Sequence, residues 1–192
     1  MFAFEKALVG HCSPTLSGLK PANLLSLSKA DYPQLPVLIE RYSQMLADKG
    51  ISFCIICECG CRWLLLVYRR QMLWEQLSDP QVQALLKQAG YPVSQAASLE
   101  PLLGHLRGRL IDSEEFPHEI GLFLGYPLAD VIGFCRHRGE DCKLCGYWKV
   151  YGDVESAKKC FALFDRCRAN LYARLLSGSP LPELISAEAQ AA

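Results

Sequence analysis

The chain lacks an excess of charge of either sign. Its 192 residues include 20 Lys and Arg residues against 20 Asp and Glu residues, so the formal net charge is zero. A protein dedicated to nucleic acid or to a membrane surface needs a net positive field. Neither nucleic acid nor a membrane is therefore expected as a partner. A small-molecule ligand is compatible with the composition, which leaves the oligomeric state open.

Long apolar runs and a secretory signal are also missing. The first ten residues carry Glu5 and Lys6 where a signal peptide would be apolar, and they lack its basic start. No stretch approaches the roughly 18 consecutive apolar residues of a membrane span. The sequence shows no internal repeat and no low-complexity run. These absences predict a cytoplasmic protein.

Cysteine, by contrast, is abundant, with 10 residues. Disulfide scaffolds occur in small secreted domains, whereas the cytosol keeps thiols reduced. A chain of this length, with 51% hydrophobic residues, can form a core without covalent cross-links. We therefore expect free thiols.

Hydrophobic periodicity and capping signals predict several regular elements. The apolar stripe of Pro36–Lys49 predicts a helix that ends at Gly50. Ile51–Cys57 and Arg62–Arg69 are typical of a β-hairpin with Gly60 in its turn. Further on, Asp153 is a predicted N-cap for a long helix that ends at Leu176.

Proline and glycine positions predict further boundaries. Ser13-Pro14 and Lys20-Pro21 resemble helix starts, because proline is favoured in the first turn. Two short helices are predicted over Pro117–Leu124 and Pro127–Arg136, on either side of a Gly-Tyr break. The alternation of Tyr147–Tyr151 indicates a strand.

These elements predict an α+β protein, a mostly helical single domain packed around a small antiparallel β-sheet. Residues 1–176 are expected to form that domain. Residues 177–192 shift to small and polar side chains and are expected to form a flexible tail.

Four stretches together resemble a clostridial-type bacterial family known as domain of unknown function 3793. The resemblance spans nearly the whole chain and implies a single-domain bacterial protein, but it brings no activity with it. It does mark the four stretches as places to look for function. They are HCSPTLSGLKPANL (His11–Leu24), FPHEIGLFLGYPLADVIGF (Phe116–Phe134), GYWKVYGD (Gly146–Asp153) and the helix that follows.

The first candidate site is a thiol. If a helix begins at Ser13-Pro14, Cys12 lies at its N-terminus, where the dipole and unpaired N–H groups favour a thiolate. His118 could serve as the base of a catalytic dyad with Cys12, because a cysteine early in the chain and a later histidine follow the order of papain-like enzymes. The alternative is that Cys12 is a small buried residue in a turn.

Cations and aromatic side chains near these residues suggest a pocket for a small anion. Such a pocket would form where the N-terminal turn approaches the helix that carries His118 and the predicted strand. The sequence therefore predicts either a thiol-dependent enzyme or a small-anion-binding protein. The predicted ligand-binding residues are His11, Lys20, Glu119, Tyr147, Trp148, Lys149 and Tyr151.

Two alternatives of other classes remain. Cys135, His137, Cys142 and Cys145 offer soft ligands for zinc or iron, which would make the protein a metal-binding module. The short helices around the Gly-Tyr break resemble a helix-turn-helix, although the second one is mainly apolar and therefore a poor DNA reader.

Overall fold

The structure is a computed structural model that describes residues 2–93, 96–112 and 116–185. Helices surround a three-stranded antiparallel sheet, which confirms the predicted α+β class. The helices are α1 (Phe2–Leu16), α2 (Leu35–Met45), α3 (Arg70–Ser78), α4 (Pro80–Gln88), α5 (Leu99–Asp112), α6 (Ile120–Phe123), α7 (Leu128–His137), α8 (Val154–Leu176) and α9 (Leu181–Leu184), with a 3-10 turn at Ala47–Lys49. The strands are β1 (Ala22–Ser28), β2 (Ile51–Cys59), β3 (Arg62–Arg69), β4 (Leu144–Cys145) and β5 (Lys149–Val150).

The central sheet has the order β1-β3-β2. Strands β2 and β3 form the predicted hairpin, and Gly60 adopts a φ of 50° in its turn. The helix start predicted at Lys20-Pro21 is wrong, because Pro21 instead precedes β1. Proline is compatible with the first residues of an edge strand, and β3 supplies β1 with a full ladder of partners.

Apolar clusters cover both faces of the sheet. Successive side chains of a strand point to opposite faces, so each strand contributes to both clusters. Leu65 and Val67 of β3 belong to an apolar cluster that includes side chains from α1, α2, α8 and α9. Leu66 and Tyr68 face the other way, into a cluster formed largely by α3 to α7. The central strand is therefore buried on both sides.

The second predicted helix start, at Ser13-Pro14, is also wrong, because these residues lie near the C-terminal end of α1. That end is closed by Arg69, whose side chain is 1% exposed. Its Nε donates to the Thr15 carbonyl at 2.7 Å and its Nη2 to the Leu16 carbonyl at 2.7 Å. A guanidinium at this position satisfies carbonyls that lack helical partners and complements the helix dipole.

The C-terminal part of the described chain contains the predicted long helix. Asp153 caps α8 by accepting hydrogen bonds from the backbone N–H groups of Glu155 and Ser156, as predicted.

The predicted flexible tail is wrong over its first part, because Leu181, Leu184 and Ile185 are buried in the first cluster. The sequence does not show this, because burial there depends on α8 and α9 packing together. Residues 186–192 lie outside the described residues.

The turn between α6 and α7 positions the functional site. Gly125 has a φ of 69°, and a Cβ there would collide with the ring of Pro21. This close approach joins the α6–α7 turn to the segment before β1.

The predicted strand Tyr147–Tyr151 is shorter than expected, because only Lys149 and Val150 pair with β4. Among the helices that the structure describes, none is long and apolar enough to cross a membrane.

Candidate functional site

A cavity of about 530 Å³ lies where the α6–α7 turn meets the segment before β1. The first turns of α8 and the segment that follows Tyr147 complete its wall. All four stretches that resemble the family, the last of them through the start of α8, contribute to this wall. Its polar and aromatic members include Lys20, Tyr126, Asp130, Trp148 and Cys160.

Lys20 is the unusual member of this wall, because its side chain is 5% exposed. Its Nζ lies 4.9 Å from the centroid of the Tyr126 ring, in a cation–π arrangement. It makes no hydrogen bond or ion pair with any residue that the structure describes. Burial lowers the pKa of Lys20 to about 8, and the thiols of Cys12 and Cys160 offset this only in part.

Asp130 is buried as well, but its carboxylate is fully engaged. Its Oδ2 accepts the indole N–H of Trp148 at 2.7 Å. Its Oδ1 accepts the backbone N–H groups of Tyr151 at 2.8 Å and Gly152 at 2.7 Å. These bonds hold the Trp148 ring against Tyr126, with the two centroids 5.2 Å apart and the planes 29° from parallel. Asp130 therefore builds the aromatic wall of the cavity.

The other carboxylate of the wall, Asp153, is engaged in capping α8. Its Oδ1 accepts the N–H groups of Glu155 at 3.0 Å and Ser156 at 3.1 Å, and its Oδ2 accepts the Ser156 hydroxyl at 2.7 Å. The hydrogen bonds from Ser156 lower the pKa of Asp153. Neither carboxylate forms an ion pair with Lys20, and the other described residues of the wall supply no counter-ion for its ammonium.

The structure contradicts the prediction of a thiolate at Cys12. Cys12 lies in the C-terminal half of α1, where the helix dipole disfavours an anion, and its side chain is fully buried. Burial strongly raises its pKa, and the charge of Lys20 opposes this only weakly. Cys12 is therefore a small buried residue, as the alternative held, although it lies in a helix and not in a turn.

The predicted base, His118, lies at a different cavity. It is exposed before α6, with its ring 4.9 Å from that of Phe134, and both line a mainly apolar cavity of about 260 Å³. Cys12 belongs to the cluster on the opposite face of the sheet from the one that contains α6 and α7. The Cys12–His118 dyad is therefore wrong. His11 is exposed on α1 and does not line the Lys20 cavity.

Four of the predicted ligand-binding residues form hydrogen bonds within the protein: Glu119, Tyr147, Lys149 and Tyr151. Glu119 is paired with Arg109 and accepts the Tyr91 hydroxyl. The side chains of the other three residues each donate one hydrogen bond. These bonds join Tyr147 to Asp165 at 2.9 Å, Lys149 to the Gly139 carbonyl at 2.6 Å, and Tyr151 to the Glu140 carbonyl at 2.9 Å. Of the predicted ligand-binding residues, only Lys20 and Trp148 line the larger cavity.

The predicted metal ligands are not assembled. Across residues 2–93, 96–112 and 116–185, no group of three or more His, Cys, Asp and Glu side chains is arranged to hold a metal ion. His137 instead stacks on Tyr151 with the ring centroids 5.5 Å apart. The thiols Cys135, Cys142 and Cys145 are free, whereas Cys57 is disulfide-bonded, so the expectation of free thiols fails at Cys57.

Among the lining residues that sequence reasoning did not single out are Tyr126, Asp130 and Cys160. A signal existed for Asp130, since a lone acidic residue within the apolar stretch Leu128–Phe134 is either exposed or bound by donors. Its neighbour Val131 lies on the second helix of the predicted helix-turn-helix and is 5% exposed. Val131 therefore faces the protein interior, whereas Ile132 of the same helix is 36% exposed.

The fold and the cavity define a mostly helical α+β protein with an uncompensated lysine in an aromatic-walled cavity. The chain belongs to the family described as Protein of unknown function (DUF3793), whose match covers residues 8–185. No curated protein and no solved structure matches the chain.

Proposed function

We propose that this protein binds a small anionic molecule in the cavity lined by Lys20, Tyr126 and Trp148. The observation that carries the proposal is the Lys20 ammonium, which is buried without a hydrogen-bond acceptor or counter-ion among the described residues. Burying an unpaired charge costs several kcal/mol, so proteins normally pair it or neutralise it. An anionic ligand would supply the missing partner.

The surroundings of Lys20 favour a ligand with a flat or apolar body. Tyr126 presents its ring to Nζ, and Trp148 stacks behind it. Pro21 and Phe164 add apolar surface to the same wall. Binding sites for small molecules are mainly apolar with a few placed polar groups, and this cavity fits that description. The proposed ligand therefore carries one carboxylate or phosphate on a small body.

The proposal is tested by titrating benzoate, lactate and inorganic phosphate into the protein while following amide NMR shifts and the melting temperature. We expect at least one of these anions to bind to the wild-type protein. Lys20→Met should weaken that binding about tenfold or more, because a partly buried ion pair is lost. Benzamide, which is uncharged, should bind less tightly than benzoate.

Lys29→Met is the matched control, because Lys29 also lies over an aromatic ring. Its Nζ is 5.1 Å from the Trp63 ring centroid, but it is paired with Glu58 at 3.0 Å. This variant should bind the anion as the wild-type protein does. Equal binding by Lys20→Met and wild type, or no binding of any of the three anions, would contradict the proposal.

A further inference from the structure

The Lys20 cavity offers an anion one charged contact. Strong anion sites combine several N–H donors, such as an arginine fork or the N-terminus of a helix. Here Lys20 is the only lysine or arginine in the wall that the structure describes. The nearby N-terminus of α8 is already occupied by the Asp153 carboxylate. A simple anion would therefore gain a single strong contact.

The same cavity is well equipped to present an amine. Nζ of Lys20 has no described carboxylate or carbonyl to hold it in the ammonium form, and the Tyr126 ring lies beneath it. At neutral pH roughly a tenth of an amine with a pKa of about 8 is neutral, several hundred times the fraction of an ordinary lysine. Desolvated lysines of this kind are the ones that attack carbonyl groups.

We infer that the ligand is a small carbonyl compound carrying an anionic group, such as a 2-oxo acid, and that Lys20 condenses with it to form an imine. This inference rests on the proposed function. The neutral amine attacks the carbonyl carbon, and a carbon–nitrogen double bond replaces the carbon–oxygen double bond. The carbonyl oxygen and the two protons of the amine leave as water. No oxidant or reductant is needed.

The wall of the Lys20 cavity can accommodate the imine as well as the free lysine and the 2-oxo acid. A protonated imine keeps a positive charge at the position of Nζ, so the contact with the Tyr126 ring is retained. The carboxylate of a 2-oxo acid would remain next to that charge. The imine bond and the ion pair with the carboxylate therefore both form at Nζ of Lys20.

The test is reductive trapping. The protein is incubated with pyruvate or glyoxylate and then with sodium borohydride, which delivers hydride to the imine carbon and leaves a stable secondary amine. Intact mass spectrometry should show one added probe molecule, less one water and plus two hydrogens. Peptide mapping should place it on Lys20. Trapping should disappear in Lys20→Met and persist in Lys29→Met.

A second variant separates this inference from the proposed function. Lys20→Arg keeps a positive charge but cannot form an imine, and circular dichroism shows whether it is folded. Lactate, which lacks the carbonyl, reports non-covalent binding in each variant. If lactate binds through Lys20 but neither probe is trapped there, the imine is overturned and the proposed function stands. If neither lactate binding nor trapping depends on Lys20, both are overturned. Trapping spread equally over surface lysines also overturns the imine.

Discussion

The Trp148 indole N–H donates to the Asp130 carboxylate at 2.7 Å, and this bond joins α7 to the segment that contains β5. The same carboxylate accepts two backbone N–H groups from that segment. One buried side chain therefore holds both the aromatic wall and the rim of the Lys20 cavity.

Removing this carboxylate should destabilise the fold. Asp130→Ala leaves three donors without acceptors, and each buried unsatisfied group costs about 1–3 kcal/mol. We expect the free energy of unfolding in urea to fall by about 3 kcal/mol or more. Asp165→Ala is the control, since Asp165 accepts the Tyr147 hydroxyl at an exposed position and should cost less than about 1 kcal/mol. Equal effects of the two substitutions would contradict this role of Asp130.

Two helical glycines should respond in opposite directions to alanine. A Cβ at Gly133 of α7 would collide with the Tyr151 side chain, whereas Gly104 of α5 has open space around it. Gly133→Ala should destabilise the protein by about 1–3 kcal/mol, because Tyr151 must move. Gly104→Ala should stabilise it by about 0.5–1 kcal/mol, because alanine favours helix more than glycine does. Urea denaturation measures both, and a gain in stability from Gly133→Ala would refute the tight contact.

The charge of Lys20 should appear in the pH dependence of stability. Because burial lowers its pKa from 10.5 to about 8, the unfolded chain binds more protons between these values than the folded chain does. Stability therefore rises with pH across this window and is reduced below it. Relative to Lys20→Met, the wild-type protein should gain roughly 1–2 kcal/mol between about pH 7 and pH 9.

Subtracting the variant removes the contributions of tyrosine and cysteine titration that the two proteins share. At about pH 7 the methionine variant should be the more stable of the two, because it buries no charge. A difference that does not change with pH would mean that Lys20 has an ordinary pKa.

Alkylation should discriminate between the thiols. Cys12 is fully buried with a strongly raised pKa, while Cys61 and Cys145 are exposed. With a short pulse of N-ethylmaleimide at neutral pH, the exposed thiols should be labelled first and Cys12 last, because only an accessible thiolate reacts. In denaturant all three should be labelled at similar rates. Fast labelling of Cys12 in the folded protein would restore it as a candidate nucleophile.

The local chemistry of the sequence determined much of the fold. Asp153 caps α8 and Gly60 lies in the β2–β3 turn, as the sequence predicts. The helix predicted to end at Gly50 ends earlier, at Met45, and Gly50 ends the 3-10 turn that follows it. These features depend on neighbouring residues, so the sequence order already contains their partners. The resemblance to the family, which rests on four stretches of sequence, is confirmed.

The site was decided by the tertiary structure. Ser13-Pro14 lies at the end of a helix because Arg69, more than fifty residues away, closes that end. Lys20 looks like any surface lysine until the α6–α7 turn packs Tyr126 against it, and Asp130 acquires its donors from a segment twenty residues later. Burial and pairing depend on what folds against a residue, and a single sequence does not state its distant partners. The uncompensated charge of Lys20 therefore becomes visible only in the folded chain.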